Sequence, residues 1–386
     1  MMRQAVLSLS LAMLAACAPT VQQEERDGAR EELSDLPAAT IADAALDALV
    51  ARHLGAGFSG VVLLRGGNSN AATARAYGLR NIERRLPVET GTRFQVGAIS
   101  KWITAVAVLR LVDQGKLDLD ARVGAYLPEL PEHIAYKVTL RHLLSNTSGV
   151  AGGAMDEYEK DKAVAELKLT YLDASLRFTA GEPRFAPGRG WEYSPAGWVV
   201  VAAVIERVTG TSFAQAIDRL VLRPAGAHST GVPAMPLDKI PGTGMAYAAG
   251  TRQVKMPTHL AYAAASGTIY STAADLGRIA ETVYETDLLS EESREELSSI
   301  EVAEQDYALG GRVKTLELGG LPRTVAWESG ATGGFKSLLA WVPGEGKSVI
   351  ILNNTDMPQE EQARAAEALL RTLYQAGFAP SSAIPR

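Results

Sequence analysis

Phe94-Gln95-Val96-Gly97-Ala98-Ile99-Ser100-Lys101 reads as the run into a long helix that begins near Ala98. Apolar residues recur at Trp102, Ala105, Val106, Leu109 and Val112, and Gly115 stops the pattern. A serine three residues ahead of a lysine would place a nucleophile and its base on one helix face, one turn apart. Here Lys101 is present, but the earlier position holds Ala98, which has no oxygen to attack with. Ser100 is no substitute, because neighbouring side chains on a helix diverge by about 100°. Its hydroxyl should point away from Lys101.

Outward from this segment the chain alternates in character. Ile41 to Leu54 has helical apolar spacing, and Gly60 to Gly67 and Ala76 to Leu79 read as two antiparallel strands. From about 130 to 265 the pattern is mainly helical. Thr139 caps Leu140 to Ser145, Trp198 to Val208 is a buried helix ending at Gly210, and Ser212 opens another toward Leu222. Thr272-Ala273-Ala274-Asp275 resembles a capping box with Asp in place of Glu. Strands return over Tyr307 to Leu318, Thr324 to Trp327, Lys336 to Val342 and Ser348 to Asn353, before a closing helix from Glu360 to Ala376. Strands at both ends of a helical middle predict a sheet built from distant parts of the chain, with an inserted helical domain.

The chain has 386 residues, a net charge of −6 and ordinary hydrophobic content of 47%, enough for a sizeable core. No basic stripe suggests a nucleic-acid partner. Five scattered histidines and a single cysteine give no metal-ligand spacing, and nothing points to a cofactor. Arg3, the apolar run Ala5 to Ala16 and Leu14-Ala15-Ala16-Cys17 resemble a bacterial lipoprotein signal with its lipidation site. The expected layout is a signal peptide over 1–16, lipid on Cys17 and a polar tether over 17–38. Ala18 after the cysteine resembles the outer-membrane-sorted type, facing the periplasm.

Six segments then stand in a telling order. After Phe94 to Lys101 come Gln114-Gly115-Lys116-Leu117-Asp118-Leu119-Asp120, Leu140 to Gly149, and Trp191-Glu192-Tyr193-Ser194-Pro195. Ser266 to Leu276 and Glu328-Ser329-Gly330-Ala331-Thr332-Gly333-Gly334-Phe335 complete the series. Over about residues 40 to 375 the chain resembles the class C β-lactamase-related serine hydrolases, which include penicillin-binding-protein-like peptidases and esterases. The resemblance implies an α+β fold over 39–380: an antiparallel sheet flanked by helices (about 39–125 and 265–380) and an all-helical part (about 126–264), with a cleft between them. It makes Ala98 the lost nucleophile position, Lys101 the base and Tyr193 a partner in proton shuttling. Glu328, Ser329 and Gly330 fill the third motif. The backbone N–H groups of Ala98 and Ala331 would form an oxyanion hole, a type of donor typically worth about 3–4 kcal/mol in the transition state.

The departures matter as much as the matches. Pro195 stands where many members have Asn, a change that esterase-like members tolerate. Glu328 replaces a Lys or His, and an anion there would repel the carboxylate of a penicillin. With catalysis abandoned, a Lys101–Glu328 ion pair is expected across the cleft. Tyr193 reads equally as a core aromatic, and Gly149, Gly267 and Gly330 as backbone requirements. Two readings follow. One is a lipid-anchored inactive relative whose cleft binds a small-molecule or peptide ligand. The other is a working hydrolase of ester, amide or peptide bonds using another nucleophile or an activated water. A third makes Ala98 an engineered or variant residue of a serine enzyme.

Overall fold

Short apolar strands from both ends of the described chain set the architecture. In the computed structural model, which describes residues 43–67 and 72–375, strands β1 (Gly60–Gly66), β2 (Ala72–Tyr77), β7 (Arg312–Leu318), β8 (Leu321–Thr332), β9 (Phe335–Val342) and β10 (Lys347–Asn353) form one antiparallel sheet. Its order is β2-β1-β10-β9-β8-β7. Short strands β3 (Leu79–Asn81) and β4 (Leu86–Pro87) pair with each other, as do β5 (Phe94–Gln95) and β6 (Tyr270–Ser271). The expected leader, Cys17, the tether and the outer ends of the predicted domain lie outside the described residues.

Both faces of the sheet are covered, so its central strands are apolar nearly throughout. In β10, Val349 and Ile351 face one core while Ile350 and Leu352 face the other. β9 repeats this, with Leu338 and Ala340 against Leu339 and Trp341. Helices α1 (Asp43–Leu54) and α11 (Gln359–Thr372) cover the first face through Leu46, Val50, Leu369 and Leu370. Fully burying such a side chain contributes about 1.5–3 kcal/mol.

The other face receives α2 (Ile99–Asp113), which is buried on nearly every side. It is apolar all round because it lies between the sheet and the helical layer. That layer holds α3 (Glu132–Ala135), α4 (Leu140–Leu144), α5 (Ala154–Lys160), α6 (Tyr171–Phe178), α7 (Ala196–Thr209) and α8 (Phe213–Ile217). The last continues as a π-helical turn to Leu222. Then follow α9 (Ala273–Glu285) and α10 (Glu291–Ser298). Thr139 caps α4 by accepting from the His142 N–H, and Ser212 caps α8 with Gln215 reciprocating.

One cap departs from expectation. Thr272 accepts from the Asp275 N–H, but the Asp275 carboxylate does not turn back to complete the box. Instead it accepts from Ser229 N (2.7 Å) and Thr230 Oγ1 (2.8 Å) and pairs with Arg278. Tertiary donors outcompeted the local one.

Candidate active site

The site is built where the start of α2 is squeezed against β8. Val96 N donates to Ile269 O at 2.9 Å, and Ser337 Oγ donates to Val96 O at 2.7 Å. A Cβ on Gly330 would fall 2.0 Å from Val96 O, and one on Gly97, at φ +53°, would fall 2.6 Å from Ala331 N. Only glycine lets these two backbones touch. The contact brings the Ala98 and Ala331 amides to one rim of the cleft. Ala98 opens α2, so its N–H has no intrahelical acceptor. Gly149, at φ +70°, is likewise required, since a Cβ there would meet Phe185 O at 2.1 Å. Gly267 is not: a Cβ there meets nothing within 4 Å.

Lys101 follows one turn after Ala98. Its side chain is buried, and Nζ donates to Ser266 O at 2.8 Å. The amine also lies 4.7 Å from the Tyr193 ring centroid and 5.8 Å from that of Trp198. Burial lowers its pKa to about 7, so near neutrality much of it is free amine. Ser100 is fully buried, and its hydroxyl accepts from Ile269 N at 3.2 Å. It is a pin between segments, turned away from the cleft.

Tyr193 is half exposed, with Lys101 against its ring. It packs tilted against Trp191 and edgewise with Tyr307, whose centroids lie 6.2 and 6.4 Å away. Burial of the phenol pushes its pKa up to about 12, keeping it a proton donor. Pro195 is exposed and occupies the residue before α7, where a missing N–H costs nothing. Ser194 is spent locally, accepting from Ala196 N at 3.3 Å.

The expected Lys101–Glu328 ion pair is not formed. Glu328 projects from β8 toward the α2 face and lies flat against Gly311, where a Cβ would fall 2.0 Å from its carboxylate. Among the described residues it has no hydrogen-bond donor. Burial raises its pKa to about 8, against the opposing pull of Arg312. At neutral pH it is therefore mostly an uncharged acid, which softens the repulsion of carboxylates expected from the sequence. Ser329 is half-buried and Ala331 exposed on the same strand.

Two aromatics near Glu328, Tyr307 and Tyr284, lie outside the motifs read from the sequence. Tyr307 comes from an isolated bridge rather than a regular strand and walls the site with Trp191. Trp191 Nε1 is buried without a hydrogen-bond partner, Asn146 Oδ1 accepts from Trp198 Nε1 at 3.2 Å, and the Asn146 side chain lies beside the Tyr307 hydroxyl. Tyr284, whose hydroxyl accepts from Trp102 Nε1 at 3.1 Å, is raised in pKa by burial and then by Glu328. Alternating aromatics near the motifs were the available clue. Among the described residues no group of His, Cys, Asp and Glu could hold a metal ion.

Comparison with known proteins agrees with this geometry. The family described as Beta-lactamase matches residues 46–373. The esterase EstB of Burkholderia gladioli is 39% identical over 196 residues, covering 48% of this chain and 46% of the esterase. The chain thus aligns with about half the length of that curated relative. The crystal structure of a penicillin-binding protein from Bacillus halodurans superposes with a TM-score of 0.71 at 25% identity, over 84% of this chain and 98% of that one. A D-stereospecific amidohydrolase from Streptomyces superposes with a TM-score of 0.66, also at 25% identity, over 84% and 97%.

Proposed function

The chain belongs to the β-lactamase-related serine hydrolase family, and from that premise we propose that it is a member without a serine nucleophile, whose cleft binds a carbonyl-bearing ligand and turns it over negligibly. One observation carries this reading: Ala98 stands where α2 opens, one turn before Lys101, against an intact backbone contact with β8. Two amides positioned by backbone alone survive the loss of a side chain, so binding outlasts catalysis. Ser100 cannot replace the lost hydroxyl, since it is buried on Ile269 N. Lys101 and Tyr193 remain beside the gap as base and proton donor without an oxygen to serve.

The names of the relatives support a ligand class. Their names include an esterase and an amidohydrolase, and acyl compounds of that type suit two amide donors and an aromatic wall. We place the protein on the periplasmic side of the outer membrane, anchored by lipid on Cys17. Incorporation of a labelled fatty acid, lost in Cys17→Ala, checks that placement.

The decisive test uses the full chain, purified in detergent, and its Ala98→Ser variant. Each is given a short-chain nitrophenyl ester and a fluorescent penicillin. The native chain should form no adduct and show negligible turnover, while Ala98→Ser gains ester hydrolysis. Native turnover that disappears in Lys101→Ala would overturn the reading in favour of a hydrolase using activated water, with Lys101 as its base.

A further inference from the structure

The Lys101 amine has unusual company. Among the described residues no carboxylate lies within ion-pairing distance of it. Its contacts are one carbonyl acceptor, Ser266 O, and two aromatic faces. Ala98 lies on the same face of α2 one turn earlier, and its methyl offers the amine no hydroxyl to bind. We propose that Lys101 is itself the nucleophile of this cleft and captures aldehyde ligands reversibly as an imine. This rests on the reading that Ala98 leaves the site without an oxygen nucleophile.

The amine is held ready. Thr104 Oγ1 shares its one proton between Ser100 O at 2.8 Å and Ala265 O at 3.1 Å, and Ile269 N donates to Ser100 Oγ at 3.2 Å. These bonds fix the 265–269 segment on α2, and with it the carbonyl that orients Nζ. A neutral amine gives one hydrogen to Ser266 O and keeps its lone pair. The aromatic faces favour the ammonium form and burial opposes it; burial dominates, bringing the group to about 7. A desolvated lysine in apolar surroundings is an established type of activated nucleophile.

The aldehyde follows from what the amine can release. Attack on an ester would expel the alcohol and leave a stable amide on Lys101, ending the site's use. Addition to an aldehyde is reversible. The Nζ lone pair forms the C–N bond as the carbonyl π pair moves to oxygen, near the Ala98 and Ala331 amides. One Nζ proton passes to that oxygen, giving the carbinolamine. The nitrogen lone pair then forms C=N, and the hydroxyl leaves with the second Nζ proton as water. The substituent on the aldehyde meets Trp191, Tyr193 and Tyr307, so aromatic aldehydes should fit best.

The test is reductive trapping of the full chain in detergent with benzaldehyde and cyanoborohydride, mapped by peptide mass spectrometry. At pH 7 Lys101 should gain a benzyl group at least about tenfold faster than surface lysines, whose amines stay protonated. Ala98→Ser should slow that labelling, because its hydroxyl engages the amine. Labelling spread evenly over surface lysines, or absent from Lys101, overturns the proposal. If Lys101 stays unlabelled while Ala98→Ser gains ester turnover, the imine idea alone has failed. Native ester turnover through an oxygen nucleophile would remove the reading beneath it.

Discussion

Asp275 and Glu328 are both buried carboxylates, and the fold treats them in opposite ways. Asp275 is surrounded by donors: an amide, a hydroxyl and the Arg278 guanidinium. It ties the 229–230 loop to the first turn of α9. Glu328 receives no hydrogen bond and rests on a glycine, with burial holding its proton on. The first is an anchor whose chemistry is spent on structure. The second is an acid kept in reserve beside the cleft, at a cost that only room at Gly311 makes bearable. Buried acidity alone therefore does not separate scaffold from site; the count of donors does.

Mutation should widen that contrast. Asp275→Ala strands three donors, one of them charged, and should cost about 3–5 kcal/mol in urea unfolding. Glu328→Gln copies the shape of the neutral acid and should cost less than about 1 kcal/mol. Equal losses would erase the distinction. Next in size is Gly311→Ala, whose methyl strikes the Glu328 carboxylate and should cost about 1–3 kcal/mol. Most of that should return when Glu328→Ala is added, a coupling readable in a double-mutant cycle.

The smallest effect lies in pH. Because the folded pKa of Glu328 is raised from 4.5 to about 8, its contribution to stability is full below 4.5 and is lost as pH rises through 8. Lys101, lowered from 10.5 to about 7, acts oppositely: its contribution is present above 10.5 and lost as pH falls through 7. Between pH 5 and 7 the Glu328 term is opposed by His142 and His259, whose pKa values burial lowers, so it is the difference between Glu328→Gln and native stability that should change, by on the order of 1–2 kcal/mol. Parallel native and variant profiles would mean that the carboxyl is solvated and the cleft wetter than described.

Sequence made the scaffold readable because alternation and capping are local. The apolar runs of β1 and β10, the largely apolar α7 and the Thr139 and Ser212 caps all sit within two residues of their expected positions. The motif order also placed Ala98, Lys101, Tyr193 and Glu328 on one cleft. What stayed hidden was the partner of each. Lys101 chose the Ser266 carbonyl over the Glu328 carboxyl, since direction on a strand face follows from register and not from spacing along the chain. Tyr307, read as the start of a strand, stands instead in an isolated bridge ahead of β7, so its place on the cleft wall did not follow from the strand pattern.

The pairing of β1 with β10 sets Gly60 opposite Asn353. A sheet closed this way stays open until β10 has been made, long after β1. Until then β1 and β2 form an isolated hairpin, which is marginal in water, and the apolar helix α2 has no sheet to cover it. Such distant pairing also slows folding. Until β10 arrives, the apolar faces of β1 and α2 lack their final partners, so closure of this sheet is the step at which folding competes with misassociation.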